Sequence, residues 1–256
     1  MSLQIDLQTV VLVIQYDGTA YSGWQIQKNA DTIQNQIQNA IQIVCGNNYN
    51  IIAAGRTDAG VHAQMQVASF QITDDFRLPE EKIKYALNSK LPHDIRITKA
   101  FIHKGDFHAR FDAVSREYRY YLSKKYDVFH RRYVSFIKYP FDTELLIRSA
   151  EIFMRKDNFT TFSKFNPDNH NPICNVDQCK WEHIEPDVLV LTVRADHFLY
   201  GMVRSLVGTM IDIARGKRSR EEVDSAFRKH DRNLNSPLAP PQGLFLNRVD
   251  YDKIKL

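Results

Sequence analysis

Little in this chain points to a secreted, membrane-spanning or metal-dependent protein. Its 256 residues contain only three cysteines, Cys45, Cys174 and Cys179. That is too few for a disulfide scaffold and fits a reducing compartment. Long apolar runs are missing: stretches such as TVVLVI are far too short to cross a bilayer. The opening MSLQIDLQ lacks the basic-then-apolar pattern of a secretory signal, so a cytoplasmic protein with no membrane partner is expected. His170, Cys174, Cys179 and His183 form H-x3-C-x4-C-x3-H. These residue types bind zinc, but the spacing matches no standard zinc pattern and no metal is expected. A strong excess of one charge is also absent, with 34 basic against 30 acidic residues.

The chain is long enough to bury a sizeable core without staples. Its 43% hydrophobic and 25% charged residues are ordinary for a globular protein. The distribution of charge says more than the total. Between Arg96 and Arg132 ten Lys and Arg face four Asp and Glu, with Phe107, Phe111, Tyr118, Tyr120 and Tyr121 interleaved. Such a mixture can hold phosphates and stack bases, or it can be a solvated strand pair with ordinary aromatic packing.

The hydrophobic pattern predicts α+β architecture. TVVLVIQY (9–16) reads as a strand, and 31–44 as a helix with Ile33, Ile37, Ala40, Ile41 and Val44 on one stripe, capped by Asp31 or Thr32. Strands follow at 49–55 and 65–72, a helix at 79–91 and a strand at 94–102. The order is β-α-β-β-α-β, the split βαβ or ferredoxin-like pattern. The second half repeats it: a strand at 116–123, a helix at 142–154, a hairpin of 178–185 with 188–195, a helix at 201–216, an added helix at 219–230 with a Ser-x-x-Glu capping box, and a strand at 243–251. Two ferredoxin-like halves with antiparallel sheets flanked by helices are expected. An N-terminal domain spans 1–104 and a C-terminal domain 105–256.

One stretch stands out chemically: IIAAGRTDAGVHAQ, residues 51–64. Asp58 follows a strand-like run and lies two residues from Arg56, and Gly55 and Gly60 bracket the pair. In an extended segment residues i and i+2 share a side, so a guanidinium there would keep a carboxylate ionised and oriented. The glycines permit unusual backbone angles and close approach of a ligand. The residues alone favour a hairpin turn carrying a surface ion pair. His62 and His108 lie near candidate site segments and could carry protons, but a structural or RNA-contacting role is expected of them.

GRTDAGVHA resembles the signature of the tRNA pseudouridine synthase A family. YDGTAYSGWQIQ, DFHARFDAVSREYRYYL, HFLYGMVRSLVGTMIDIARGK and PLAPPQGLFLNRVDY resemble other blocks of that family, in the same order and over nearly the whole chain. The resemblance implies isomerisation of uridine to pseudouridine at positions 38, 39 and 40, in the anticodon stem-loop of tRNA. It implies Asp58 as the catalytic group, with Arg56 before it and Arg204 approaching it. It implies Tyr118 as the aromatic face for the target base. Two α+β halves would meet at a catalytic cleft in a homodimer with no cofactor. Arg110, in FHARFDA, is carried as a substrate-binding candidate. Two stretches depart from the pattern: Tyr200-Gly201 replace histidines frequent before MVR, and no site residue is carried over from the weakly matching 162–176.

Other classes fit less well. A non-catalytic RNA-binding protein on this fold has no use for a carboxylate at Asp58. A hydrolase would show a second paired carboxylate or a metal cluster, and neither is visible in the sequence.

Overall fold

The computed structural model describes residues 7–73, 76–167 and 171–256. Their contacts cluster into two compact units. The first takes the chain up to Val114 together with Leu246–Leu256, and the second takes Ser115–Phe245. The last strand, expected in the second half, clusters with the first over residues 246–256.

The first unit runs β1 (Gln8–Tyr16), α1 (Ile33–Cys45), β2 (Ile52–Ala53), β3 (His62–Ile72), α2 (Glu80–Asn88) and β4 (Ile95–Lys104). β1 is central, antiparallel to both β3 and β4. Its residues Val10 to Ile14 are all buried, which explains a continuous apolar run instead of alternation. β2 pairs with β3. α1 begins where the Thr32 hydroxyl accepts the Asn35 N–H, and it ends at Gly46 in the left-handed region. Its buried stripe is Ile33, Ile37, Ala40 and Ile41. The β1–β4 register shifts between Val13 and Ile14. Beside that irregularity the Asn88 side chain bonds both backbone groups of Ile97, at 2.8 Å each.

The second unit contains β5 (Ala113–Ser123), β6 (Ser135–Phe136), α3 (Thr143–Ser149), β7 (Lys156–Asn158), β8 (Ile173–Glu185), β9 (Val188–Ala195), α4 (Met202–Ala214) and α5 (Arg220–Lys229). β10 (Leu244–Tyr251) follows. The sheet order is β5-β9-β8-β7, antiparallel throughout, with β6 parallel to β5. α4 is apolar on nearly every side and correspondingly buried from Met202 to Ile211, apart from Arg204. The Trp181 indole on β8 donates to the Met210 sulfur at 3.1 Å. Phe153, Phe159, Phe162 and Phe227 form a packed aromatic cluster.

The mixed α+β architecture agrees with the sequence reading, and some elements differ in detail. The strand expected over 49–55 keeps only two paired residues, because the chain then leaves the sheet for the Asp58 loop. The helix expected over 142–154 is α-helical only to Ser149 and tightens to a 3-10 turn at Ala150–Phe153. β6 and β7, of two and three residues, carry no readable periodicity.

Candidate active site

The Asp58 loop is built on the segment that follows β1. Asp17 begins a 3-10 turn, its carboxylate accepting the N–H and hydroxyl of Thr19 at 2.9 and 2.6 Å. Gly18 packs so closely on Val61 that a Cβ there would lie 2.0 Å from the Val61 carbonyl oxygen. Gly23 has φ +94°, and a Cβ would meet the Thr57 carbonyl oxygen at 2.6 Å. Both positions therefore require glycine. These absences of side chain let residues 57–61 lie directly on residues 18–24.

Hydrogen bonds then fix the loop. The Trp24 N–H donates to the Thr57 carbonyl at 3.1 Å, and the Gly60 N–H to the Tyr21 carbonyl at 3.3 Å. Gln66 Nε2 donates to the Gly55 carbonyl at 2.8 Å. The Val61 N–H closes back on the Asp58 carbonyl at 3.2 Å, with Gly60 at φ +75° completing the turn. The Thr57 hydroxyl lies 2.8 Å from that of Tyr16, both buried. Arg56 is exposed, Thr57 buried and Asp58 partly exposed. The middle residue is the anchor, and the two charged residues flank it.

His62 is buried, and its Nδ1 accepts the Gly18 N–H at 3.1 Å. The Asp17 carboxylate approaches the same nitrogen to 3.1 Å. His62 is thus a structural clamp, not an exposed proton carrier. His108 likewise organises a turn: its Nδ1 accepts the N–H groups of Arg110 and Phe111, and its ring stacks on Phe111. Arg110 is exposed on that turn, with its guanidinium 5.5 Å from the centre of the Phe111 ring. The Ala109 N–H donates to Ser69, toward the opposite end of β3 from the Asp58 loop.

Tyr118 and Arg204 belong to the second unit. Tyr118 sits on β5 opposite Val193, nearly buried, with Phe198 edge-on at 5.1 Å. Phe198 follows Asp196, whose backbone carbonyl accepts from Arg116 at 2.7 Å. Arg204 projects from α4, and its Nε donates to the Ala239 carbonyl at 2.8 Å. Tyr120 is fully buried and donates to the next carbonyl, of Pro240, at 3.0 Å; burial pushes its pKa far up. Gly208 allows this strap onto α4, since a Cβ there would lie 2.0 Å from the Pro237 carbonyl oxygen. Residues 237–240 thus tie α4 to β5.

Tyr16, Thr57, Gly23, Phe198 and the prolines near 240 are not singled out in the sequence analysis. The signals were present as paired glycines in DGTAYSGW and the proline pair in LAPPQG. Of the zinc-type residues, Cys174 and Cys179 lie on the buried face of β8 and His183 is exposed. His170 lies outside the described residues. Among the described residues no group of three or more His, Cys, Asp or Glu is arranged to hold a metal, and no helix is long and apolar enough to cross a membrane.

The glycine-shaped loop thus presents Asp58 partly exposed, one residue beyond the buried Thr57. Comparison with known proteins adds the family. A family profile described as tRNA pseudouridine synthase matches residues 12–112 and 150–252. A protein named tRNA pseudouridine synthase A from Thermoanaerobacter sp. (strain X514) is 38% identical over 247 residues, covering 96% of this chain and all of its own length. Proteins of the same name from Bacteroides fragilis and Halalkalibacterium halodurans are each 36% identical, covering 96% and 98% of this chain and 98% and 95% of their own. The chain belongs to the tRNA pseudouridine synthase family, and it is an isomerase acting on tRNA.

Proposed function

We propose that this protein converts uridine to pseudouridine at positions 38, 39 and 40 of the tRNA anticodon stem-loop, with Asp58 as the catalytic carboxylate. The observation that carries this reading is the Asp58 loop: a partly exposed carboxylate whose backbone is fixed at Gly55, Thr57, Asp58 and Gly60. That is the rigid support a working group needs.

The reaction breaks the glycosidic C–N bond, turns the uracil and forms a C–C bond at C5, where a proton is released. Nothing is oxidised and no group is lost, so the chemistry calls for no cofactor. Asp58 serves either as nucleophile on base or sugar, or as a base on a sugar proton that also stabilises the developing sugar cation. On this reading Arg56 and Arg204 work with Asp58 in catalysis. The target base must leave the stack, and the Tyr118 ring offers it a face. Arg110 and the basic residues around it contact phosphates, with an affinity that falls as salt rises. The same reading takes each unit as a ferredoxin-like half, in a cytoplasmic homodimer.

The test is tRNA carrying tritium at uracil C5. Wild-type protein releases tritium to water and Asp58→Asn does not. Tight tRNA binding without release by the wild type would sink the enzymatic reading. Release by Asp58→Asn would sink the role of that residue.

A further inference from the structure

We infer that Tyr16 is a positioning residue for Asp58, acting through the Thr57 hydroxyl. This rests on the reading of Asp58 as the catalytic carboxylate. Tyr16 is the last residue of β1, after the apolar run Val10–Ile14. Its ring is buried 6.2 Å from that of Trp24. A phenylalanine would bury the same ring, so the hydroxyl needs its own explanation, and it lies 2.8 Å from the Thr57 hydroxyl. A buried hydroxyl without a partner is costly, and two that satisfy each other are not.

The backbone bonds at Gly55, Thr57, Asp58 and Gly60 set the path of the loop. They leave the rotation of residue 57 about that path to its side chain. Thr57 is branched at Cβ and stiff at χ1. Holding its hydroxyl therefore holds the residue, and with it the directions in which Arg56 and Asp58 leave the chain on either side. The sheet is shaped to the same end. The β1–β3 register shifts between Ile14, opposite Gln66, and Tyr16, opposite Ala63. Such irregularities re-aim side chains beside functional sites. Here the shift falls between Tyr16 and Gln66, the two residues that reach across to the loop at Thr57 and Gly55. Small displacements of a reacting group cost large factors in rate, so a single lost hydroxyl pair should appear in the chemical step.

The experiment measures single-turnover tritium release and tRNA binding separately, well below the melting temperature. Tyr16→Phe and Thr57→Val are each expected to slow release about tenfold to a hundredfold, with tRNA affinity within about twofold of wild type. Thr57→Ser keeps the hydroxyl and is expected within about threefold of the wild-type rate. Because one interaction is being removed, the double variant Tyr16→Phe/Thr57→Val should be no slower than the worse single one. Asp58→Asn is run beside them. If Tyr16→Phe releases at the wild-type rate while Asp58→Asn is inactive, the positioning role is overturned and the catalytic assignment stands. If Asp58→Asn is active, the catalytic assignment falls and this inference with it. Rate and affinity lost together in Tyr16→Phe, or no recovery with Thr57→Ser, would also overturn it.

Discussion

Arg204 and Ala239 exchange two hydrogen bonds: the Arg204 side chain donates to the Ala239 carbonyl at 2.8 Å, and the Ala239 N–H donates to the Arg204 carbonyl at 3.0 Å. The guanidinium proposed to act at Asp58 is therefore also the clasp of the strap that reaches Tyr120. A lysine keeps the charge but lacks the Nε donor and the planar fork. Arg204→Lys is expected to lose about 1–2 kcal/mol of stability in urea unfolding and at least about tenfold in kcat for tritium release. Full activity in a folded Arg204→Lys would leave the arginine only its structural part.

Glycines with different surroundings should rank in a fixed order. A Cβ at Gly208 would stand 2.0 Å from the Pro237 carbonyl oxygen, and one at Gly23 would combine φ +94° with a 2.6 Å contact to the Thr57 carbonyl oxygen. Backbone is the obstacle in both cases, so neither clash can be relieved by a side-chain turn. Gly46, at φ +76°, has nothing within 4 Å. Gly46→Ala should cost about 1 kcal/mol for the left-handed backbone alone. Gly23→Ala and Gly208→Ala should each cost more, about 2 kcal/mol or above, and Gly23→Ala should also abolish tritium release by displacing the Asp58 loop. Urea melts check the order. Equal costs at all three positions would contradict the packing described.

How much of this was legible in the sequence depended on the range of the interactions involved. α1 and α5 announce themselves through local signals, a threonine cap in one and a capping box in the other, with apolar stripes at helical spacing. β1 and β9 do so through β-branched runs. What was not legible arises from distant contacts. The role of Gly208 comes from Pro237, and the Tyr16 hydroxyl finds its partner in Thr57, 41 residues further along the chain. β2 was overextended because Ala54 and Gly55 continue the apolar and small-residue run after the pairing has ended. The carboxylate itself was visible as a residue, whereas the glycine-lined seat beneath it was not. Only the folded chain brings Gly18 and Gly23 against residues 57–61.

The cysteines should report burial directly. Thiol alkylation requires the thiolate. Burial pushes the Cys174 and Cys179 thiols up to about 12, with the Asp196 carboxylate adding to the effect at Cys174. Cys45 lies near the end of α1, only partly covered, and burial raises it as well. Iodoacetamide at pH 8 should label Cys45 slowly in the folded protein and the other two only after unfolding, as mass spectrometry of timed samples would show. Rapid native labelling of Cys179 would be incompatible with its place on the buried face of β8.

The turn that presents Arg110 is tied to the chain's end by a titratable contact. Asp112 accepts the His108 N–H at 2.8 Å and pairs with Lys253 at 2.7 Å. Burial alone would raise its pKa, but the His108 N–H and the Lys253 ammonium together outweigh that and hold it below the ordinary aspartate value of 3.8. A carboxyl whose pKa is lowered on folding stabilises the native state at pH values above its unfolded pKa. That contribution is lost as pH falls through the folded pKa. Asp112→Asn removes the charge at every pH. Wild type should therefore be the more stable at pH 7, and the difference should shrink below about pH 4 as its own carboxyl protonates. Urea unfolding of both proteins between pH 7 and pH 3 makes the comparison. A difference that stays constant to pH 3 would mean that Asp112 acts by its shape and hydrogen bonding, not by its charge.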